Sequence, residues 1–446
     1  MSGAPADRVY TELLTRVGEA HPRPRLAPVQ RLAELAGSPQ LSYPVIHVAG
    51  TNGKTSTSRA IESLLRAQGL RTGLFTSPHL IDVTERFQID GEPVDGEILA
   101  ESWAELALPL SVVDAELAEA GEGPITFFEA FAVLAFVVFA DAPVEIAIVE
   151  VGMGGEWDAT NIADAEVAVL TPVDLDHTSI LGADLATIAR TKSGIVKAGS
   201  TVVVAAQPDE ALDEIAAAAT QHDARLLLEG RDFRLLEDRV AVGGRQITVV
   251  GPSAAPHEPA FLPLFGRHQA ENATLAVAAV EAFLDRPLSS EVLDVGFGQL
   301  SVPGRLQLIS SDPTVYVDAA HNPHGAAALA GAIAESFAFE ELGVVVGVLE
   351  EKDARGVLAE LAPIADRVTV VPVASPRSVD VETLRALAED VIPETPIEIA
   401  GSLPEALDEA RSWAERATGR AVLVVGSVVL AGEAIAHARA EDWGIG

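Results

Sequence analysis

The chain has 446 residues, 30 Lys+Arg against 66 Asp+Glu, and a formal net charge of −36. That balance argues against a nucleic-acid binder, which needs a basic face for phosphates, and against a peripheral protein held on anionic lipid. No cysteine is present, which removes disulfides, thiolate metal sites and a cysteine nucleophile.

The rest of the composition is that of a soluble globular protein, so most of the acid is read as a solvated coat. Only four lysines occur: Lys54, Lys192, Lys197 and Lys352. The start, MSGAPADRVYTELL, has no basic region followed by an apolar run, so no signal peptide is expected. The longest apolar stretch, 127–140, is interrupted by Glu129 and too short to span a bilayer. The expected location is the cytoplasm.

From about residue 44 the pattern is strand, glycine turn, helix, repeated. PVIHVA (44–49) is a short apolar run, followed by GTNGKT and a helical stretch over 56–68. Further runs fall at 72–75, 144–151, 167–173 and 201–206. Continuous β-branched runs point to strands buried on both faces, hence a mostly parallel sheet. Residues 225–263 are shorter and alternating, with Gly243-Gly244 as a hairpin signal; they read as a small β-rich excursion. A second α/β series begins near 300, with strands expected at 305–309, 314–317, 342–348, 367–371 and 421–425. Helices are expected at 323–337 and 404–417. SVPGR (301–305) is the natural linker. The expected fold is therefore α/β: an N-terminal P-loop ATPase-like domain over 1–300 and a C-terminal Rossmann-like α/β domain over 301–446.

The strongest local signal is Gly50-Thr51-Asn52-Gly53-Lys54-Thr55 between a strand and a helix. The glycines let backbone N–H groups approach phosphate oxygens, and the helix N-terminus adds partial positive charge. Lys54 can reach β and γ phosphates, and the Thr55 hydroxyl can ligate Mg²⁺. The usual longer pattern wants a glycine where Val48 stands, so this loop is a shorter variant. The bland alternative is a glycine turn with an incidental lysine. Other strand ends carry polar groups too: Ser77 in TSPHL, Glu150 in EVGMGG, and Asp174, Asp176 and His177 in DLDH. Ligand crevices of parallel sheets lie at such ends, so Glu150 is a plausible ligand of Mg²⁺ or its water. Lys192 can either hold a phosphate as a cation or take up CO₂ as a carbamate. In the second half, Asn272, Arg305, Asp318 and His321 lie in HQAEN, PGR and DAAHNP. Asp318 is placed to accept from a ribose hydroxyl, and Arg305 to neutralise phosphate charge. Taken singly, each has an ordinary structural explanation.

In order, IHVAGTNGKTST, TSPHL, ERFQIDG, TFFEAFAVLAF, VEVGMGG-x-x-DATN, DH-x-x-x-LG, K-x-GI, PGR and D-x-AHNP resemble the folylpolyglutamate synthase/dihydrofolate synthase family of the Mur-ligase superfamily. The likeness runs from about residue 25 to the C-terminus. It implies an ATP-dependent amide ligase. The γ-phosphoryl of ATP passes to a carboxylate, and L-glutamate attacks the acyl phosphate. The acceptor is dihydropteroate or a reduced folate. By the same resemblance, Gly50 to Thr55 cradle the phosphates, while Thr55, Ser77, Glu150 and His177 hold Mg²⁺. Lys192 matches a carbamylated lysine. Asn272, Arg305 and Asp318 bind ATP, and His321 sits beside the reacting phosphate. Lys54, Lys192 and His321 form the implied catalytic set. The implied partners are ATP, a pterin substrate and glutamate, with no nucleic acid, no membrane and a monomeric enzyme. The segment near 22–43 is a candidate for pterin contact.

Several positions depart from the family pattern. Glu156 stands where Arg is common, Ala319 where Gly is common and Ser193 where Ala is common. Glu350 to Asp353 replace an AspLysAsp run. The competing readings are another Mur-type amino-acid ligase, for which the 49 residues before Gly50 are too few to form the usual nucleotide-sugar domain, a P-loop ATPase or binding protein without ligation, and a catalytically degraded paralogue.

Overall fold

A computed structural model describes residues 5–18 and 23–444. Residues 1–4, within the N-terminal stretch read for a signal peptide, and Pro22, at the start of the candidate pterin segment, lie outside the described residues. The chain divides into two compact units. One comprises Met1–Glu237, Ile247–Phe261 and Glu271–Leu300; the other comprises Asp238–Gln246, Leu262–Ala270 and Ser301–Gly446.

The first unit is built on an eight-stranded sheet. Its strands are β1 (Val45–Ala49), β2 (Thr72–Phe75), β3 (Phe87–Ile89), β4 (Glu92–Pro93), β5 (Ile146–Glu150), β6 (Val167–Leu170), β7 (Thr201–Val204) and β8 (Arg225–Leu228), in the order β4-β3-β2-β5-β1-β6-β7-β8. From β2 to β8 every neighbouring pair is parallel, while β3 and β4 extend the edge antiparallel. All five residues of β1 and of β5 are buried, as strands covered on both faces must be. The helix Phe127–Asp141 is apolar all round and correspondingly buried. Phe139 packs so tightly on Gly73 that a Cβ there would lie 2.9 Å from its ring. Thr126 and Glu129 cap that helix reciprocally, and Arg25 pairs with Glu129 at 2.8 Å. The guanidinium of Arg25 is thus used to fasten the N-terminal segment to this helix.

One expectation is corrected here. Residues 225–228 are not part of the β-rich excursion; they form β8 and complete the large sheet beside β7. Three partly exposed residues beside one buried leucine gave that edge strand an alternating look, although its pairing is parallel. The excursion itself is β9 (Arg234–Ala241), β10 (Gly244–Val250) and β11 (Ala260–Leu262), a three-stranded sheet in the order β11-β10-β9. The turn falls at Val242-Gly243, where Gly243 takes a φ of +78°, a region costly for residues with a Cβ.

In the second unit β12 (Gln307–Ser311), β13 (Thr314–Val317), β14 (Glu341–Val346), β15 (Arg367–Val370), β16 (Ile397–Ile399) and β17 (Arg420–Val425) lie in the order β12-β13-β17-β14-β15-β16. Only β12 runs antiparallel to its neighbour. The helices Pro323–Ser336, Ala354–Leu361 and Val381–Val391 contribute to the apolar core of this sheet. Arg245 belongs to the same unit and is 1% exposed. Its guanidinium bonds Asp238 at 2.5 and 2.8 Å and Glu335 at 2.7 and 3.0 Å. The fork geometry of Arg suits such paired carboxylates.

Candidate active site

In the first unit the sheet order puts β2, β5, β1 and β6 side by side and parallel. Their C-terminal ends therefore share one edge. TSPHL, EVGMGG, GTNGKT and TPVDLDH leave from that edge.

The GTNGKT loop turns on two glycines. Gly50 has φ +148° and Gly53 φ +86°. A Cβ on Gly50 would lie 1.8 Å from Thr171 Oγ1, and one on Gly53 would lie 2.4 Å from Asn272 Oδ1. Gly53 then begins the helix Lys54–Ala67, whose first turn receives no side-chain cap. Helix N-termini leave backbone N–H groups without intrahelical partners, and such a terminus suits an anion. Lys54 Nζ donates to Gly50 O at 3.2 Å and Thr51 O at 3.1 Å. Lys192 Nζ also donates to Gly50 O, at 2.7 Å.

Glu150 ends β5 and is 1% exposed. Thr55 Oγ1 donates to both its carboxylate oxygens at 3.0 Å, and the backbone N of Ser77 donates to Oε2 at 3.4 Å. Thr55, Ser77 and Glu150 are thus brought together. His177 lies on the loop after β6, half-buried, with φ +51° and Nε2 3.9 Å from Asp176 Oδ2. Among the described residues no group of three or more His, Cys, Asp or Glu side chains forms a metal cage. One carboxylate with two hydroxyl-bearing residues is instead a hard-oxygen set of the kind Mg²⁺ accepts when phosphate and water complete its shell.

Lys192 is buried at the end of the helix Leu185–Ser193. Burial, then the charge of Lys54, pushes its amine down to about 7, against the opposing pull of Asp176 and Asp158. Next to it the EVGMGG loop packs on the helix end. Glu156 N donates to Thr191 O at 2.8 Å, and a Cβ on Gly155 would lie 2.6 Å from Lys192 O. The glycines of this loop are thus required by close packing. The Glu156 side chain itself is exposed.

Asp158 orders the same loop. It is 4% exposed and accepts from Met153 N at 2.9 Å and Thr160 N at 3.0 Å. The Thr160 hydroxyl also donates to Asp158 and bonds His47 Nε2 at 2.8 Å. Complete burial, with Lys197 nearby, pushes His47 down to about 3, so the ring is neutral. Since Thr160 gives its one proton to Asp158, His47 is the donor to Thr160 Oγ1. His47 escapes notice in the sequence because a histidine inside a strand has no local signature.

In the second unit Asp318 directly follows β13. It is 7% exposed and accepts from Leu306 N at 2.7 Å and Ala320 N at 2.8 Å. Burial raises its carboxyl, and the neighbouring Arg305 charge opposes that. Arg305 Nη1 donates to Gly304 O at 3.1 Å, and His321 Nδ1 bonds Ala319 O at 2.9 Å. Asn322 caps the helix Pro323–Ser336. Arg305, Asp318 and His321 are therefore gathered at one end of β13, and Asn272 sits with the loop glycines in the first unit.

Two family models match the chain: the Mur ligase middle domain over residues 48–280 and the Mur ligase glutamate ligase domain over 304–428. Loop, sheet and ligase domain together define an ATP-dependent ligase of the Mur type. A Mycobacterium tuberculosis dihydrofolate synthase/folylpolyglutamate synthase is 40% identical over 92% of this chain and 89% of its own length. The solved M. tuberculosis folylpolyglutamate synthase complexed with ADP superposes with a TM-score of 0.93 at 39% identity, covering 98% of each chain. An Escherichia coli structure in complex with DHPP and ADP gives a TM-score of 0.85 at 30% identity, covering 99% of each chain. The chain belongs to the folylpolyglutamate synthase/dihydrofolate synthase family of Mur ligases.

Proposed function

We propose that this chain joins L-glutamate to dihydropteroate, to the glutamate tail of reduced folates, or to both. The observation that carries the reading is the shared sheet edge, where the GTNGKT loop, Thr55, Ser77, Glu150 and Lys192 meet. In this reading residues 1–300 act as the ATP-binding domain and 301–446 as the glutamate-ligase domain. The acceptor carboxylate attacks the γ-phosphorus of ATP; the P–O bond to ADP breaks and an acyl phosphate forms. The glutamate amine then attacks the acyl carbon, phosphate leaves and the amine loses a proton. Both reactants are anionic, so the site must screen their approach.

Gly50, Thr51, Asn52, Gly53, Lys54 and Thr55 hold the phosphates. Thr55, Ser77, Glu150 and His177 hold Mg²⁺, which supplies charge neutralisation between carboxylate and phosphate when bound. Lys192, as its carbamate, presents an anion to this region. Asn272, Arg305 and Asp318 bind the rest of ATP, and His321 lies at the reacting phosphate. The small-molecule substrates, a monomeric state and a cytoplasmic location belong to the same proposal; among the described residues no helix is long and apolar enough to cross a membrane.

The test is a coupled assay of ADP release with dihydropteroate or a reduced folate, with glutamate present or omitted. Release that requires both glutamate and one pterin acceptor supports the proposal. Release indifferent to both substrates returns the chain to the ATPase reading.

A further inference from the structure

Strand β6 runs into Thr171-Pro172-Val173. Pro172 has no N–H, so it interrupts the ladder with β7. Ala205 N still donates to Leu170 O at 2.9 Å. Beyond that rung a side chain replaces the strand. The Gln207 amide donates from Nε2 to Thr171 O at 3.0 Å and accepts at Oε1 from Val173 N at 2.9 Å. One amide brackets the proline as a short piece of partner strand would.

The bracketed segment in turn clasps the GTNGKT loop. Pro172 O accepts from Thr51 N at 2.9 Å and from Asn52 N at 3.4 Å. Thr51 Oγ1 donates to Asp174 O and accepts from Asp174 N, both at 3.0 Å. Thr171 is fully buried and lies against Gly50 with no room for a methyl group between them. A displacement of Thr171–Val173 is therefore a displacement of the loop.

We infer that Gln207 is a positioning residue for nucleotide binding, acting through Thr171–Val173 on the GTNGKT loop. Gln207 lies in none of the motifs that mark the site. The inference rests on the reading of that loop as the nucleotide site.

Calorimetric binding of ADP to the full-length protein tests it, with the KM for glutamate as the second readout. Gln207→Leu removes both amide bonds and is expected to weaken ADP about tenfold, the effect of one to two neutral hydrogen bonds. The glutamate KM should stay within about twofold. Gln207→Glu keeps the acceptor but loses the donor at about pH 8, where a carboxylate is ionised. As the pH is lowered towards about 5 the introduced carboxyl, pressed against the Thr171 carbonyl, takes up a proton and regains the donor. The loss in ADP affinity relative to the native protein at the same pH should then shrink. General loosening of the fold has no reason to follow that titration, so Gln207→Glu alone carries the test if Gln207→Leu does not fold. ADP affinity within about twofold of native for both variants, or equal losses for ADP and glutamate at every pH, overturns the inference. Failure of the native protein to bind ADP overturns the nucleotide-site reading beneath it.

Discussion

Lys192 gives the sharpest prediction. Its amine is buried, touches Gly50 O at 2.7 Å and is pushed down to about 7, first by burial and then by Lys54. At pH 7.4 such an amine is about 70% neutral, against about 0.1% for an ordinary lysine, a gain of several hundredfold in the form that attacks CO₂. The amine nitrogen bonds the carbon of CO₂, one C=O electron pair moves to oxygen, and a proton leaves. Enzyme stripped of CO₂ and bicarbonate should therefore lose activity and regain it when bicarbonate returns. Regain should be faster on the alkaline side of about pH 7 than on the acid side. Lys192→Arg, which keeps a cation that cannot be carbamylated, should lower kcat by about a hundredfold, the order found when one electrostatic group at a reacting centre is removed. Lys192→Ala should recover part of its rate with added acetate, which offers a detached carboxylate. The sign of the stability effect follows from the same shift. The folded, uncarbamylated protein binds fewer protons than the unfolded chain between about pH 7 and 10.5, so its stability rises with pH across that window and falls as pH drops to 7. Intact mass under neutral conditions and the rate after CO₂ removal are the assays. Full activity without CO₂, together with an active Lys192→Arg, refutes the reasoning.

Two further outcomes are expected. Lys54→Ala should abolish ligation while leaving the thermal midpoint nearly unchanged, because the lysine of such a loop acts on the nucleotide; ligation at native rate removes Lys54 from the site. Arg245→Met strands Asp238, whose side chain is 6% exposed, and should destabilise the second unit by about 3–5 kcal/mol; Arg245→Met combined with Asp238→Leu should recover much of that in denaturant melts, and a double variant no better than the single one rejects the pairing argument.

Much of this fold was legible because its central strands are short, continuous and apolar. The runs at 72–75 and 314–317 are the strands β2 and β13 themselves, and β1, β5, β7, β14, β15 and β17 differ from their expected bounds by one or two residues at an end. What escaped were the edges. β16 has three residues, none of them buried, and β3 and β4 are as short; nothing local separates them from loops. Adjacency also escaped. GTNGKT and Glu150 are both visible as motifs, but the bond from Thr55 to Glu150 depends on β5 lying next to β1 although three strands separate them in sequence. Gln207 is invisible for the same reason, since its meaning lies in Pro172, 35 residues earlier and one strand away.

The charge of −36 raises the question of how anionic substrates are held. Lys54 and Lys192 answer it in an unexpected way, for both amines bond the carbonyl of Gly50. Two ammonium groups on one oxygen repel, and the burial of Lys192 decides which gives up its charge. Lys54 is more exposed and stands at the start of the helix. Carbamate formation on Lys192 would turn the remaining repulsion into attraction, and Lys54 would then be held by an anion until phosphate competes for it. Lys192→Met, which removes the repulsion without supplying the anion, should therefore leave ADP binding close to native while kcat falls. Loss of ADP binding in proportion to kcat would mean that Lys192 is itself a phosphate ligand, the other role its position in the sequence allows.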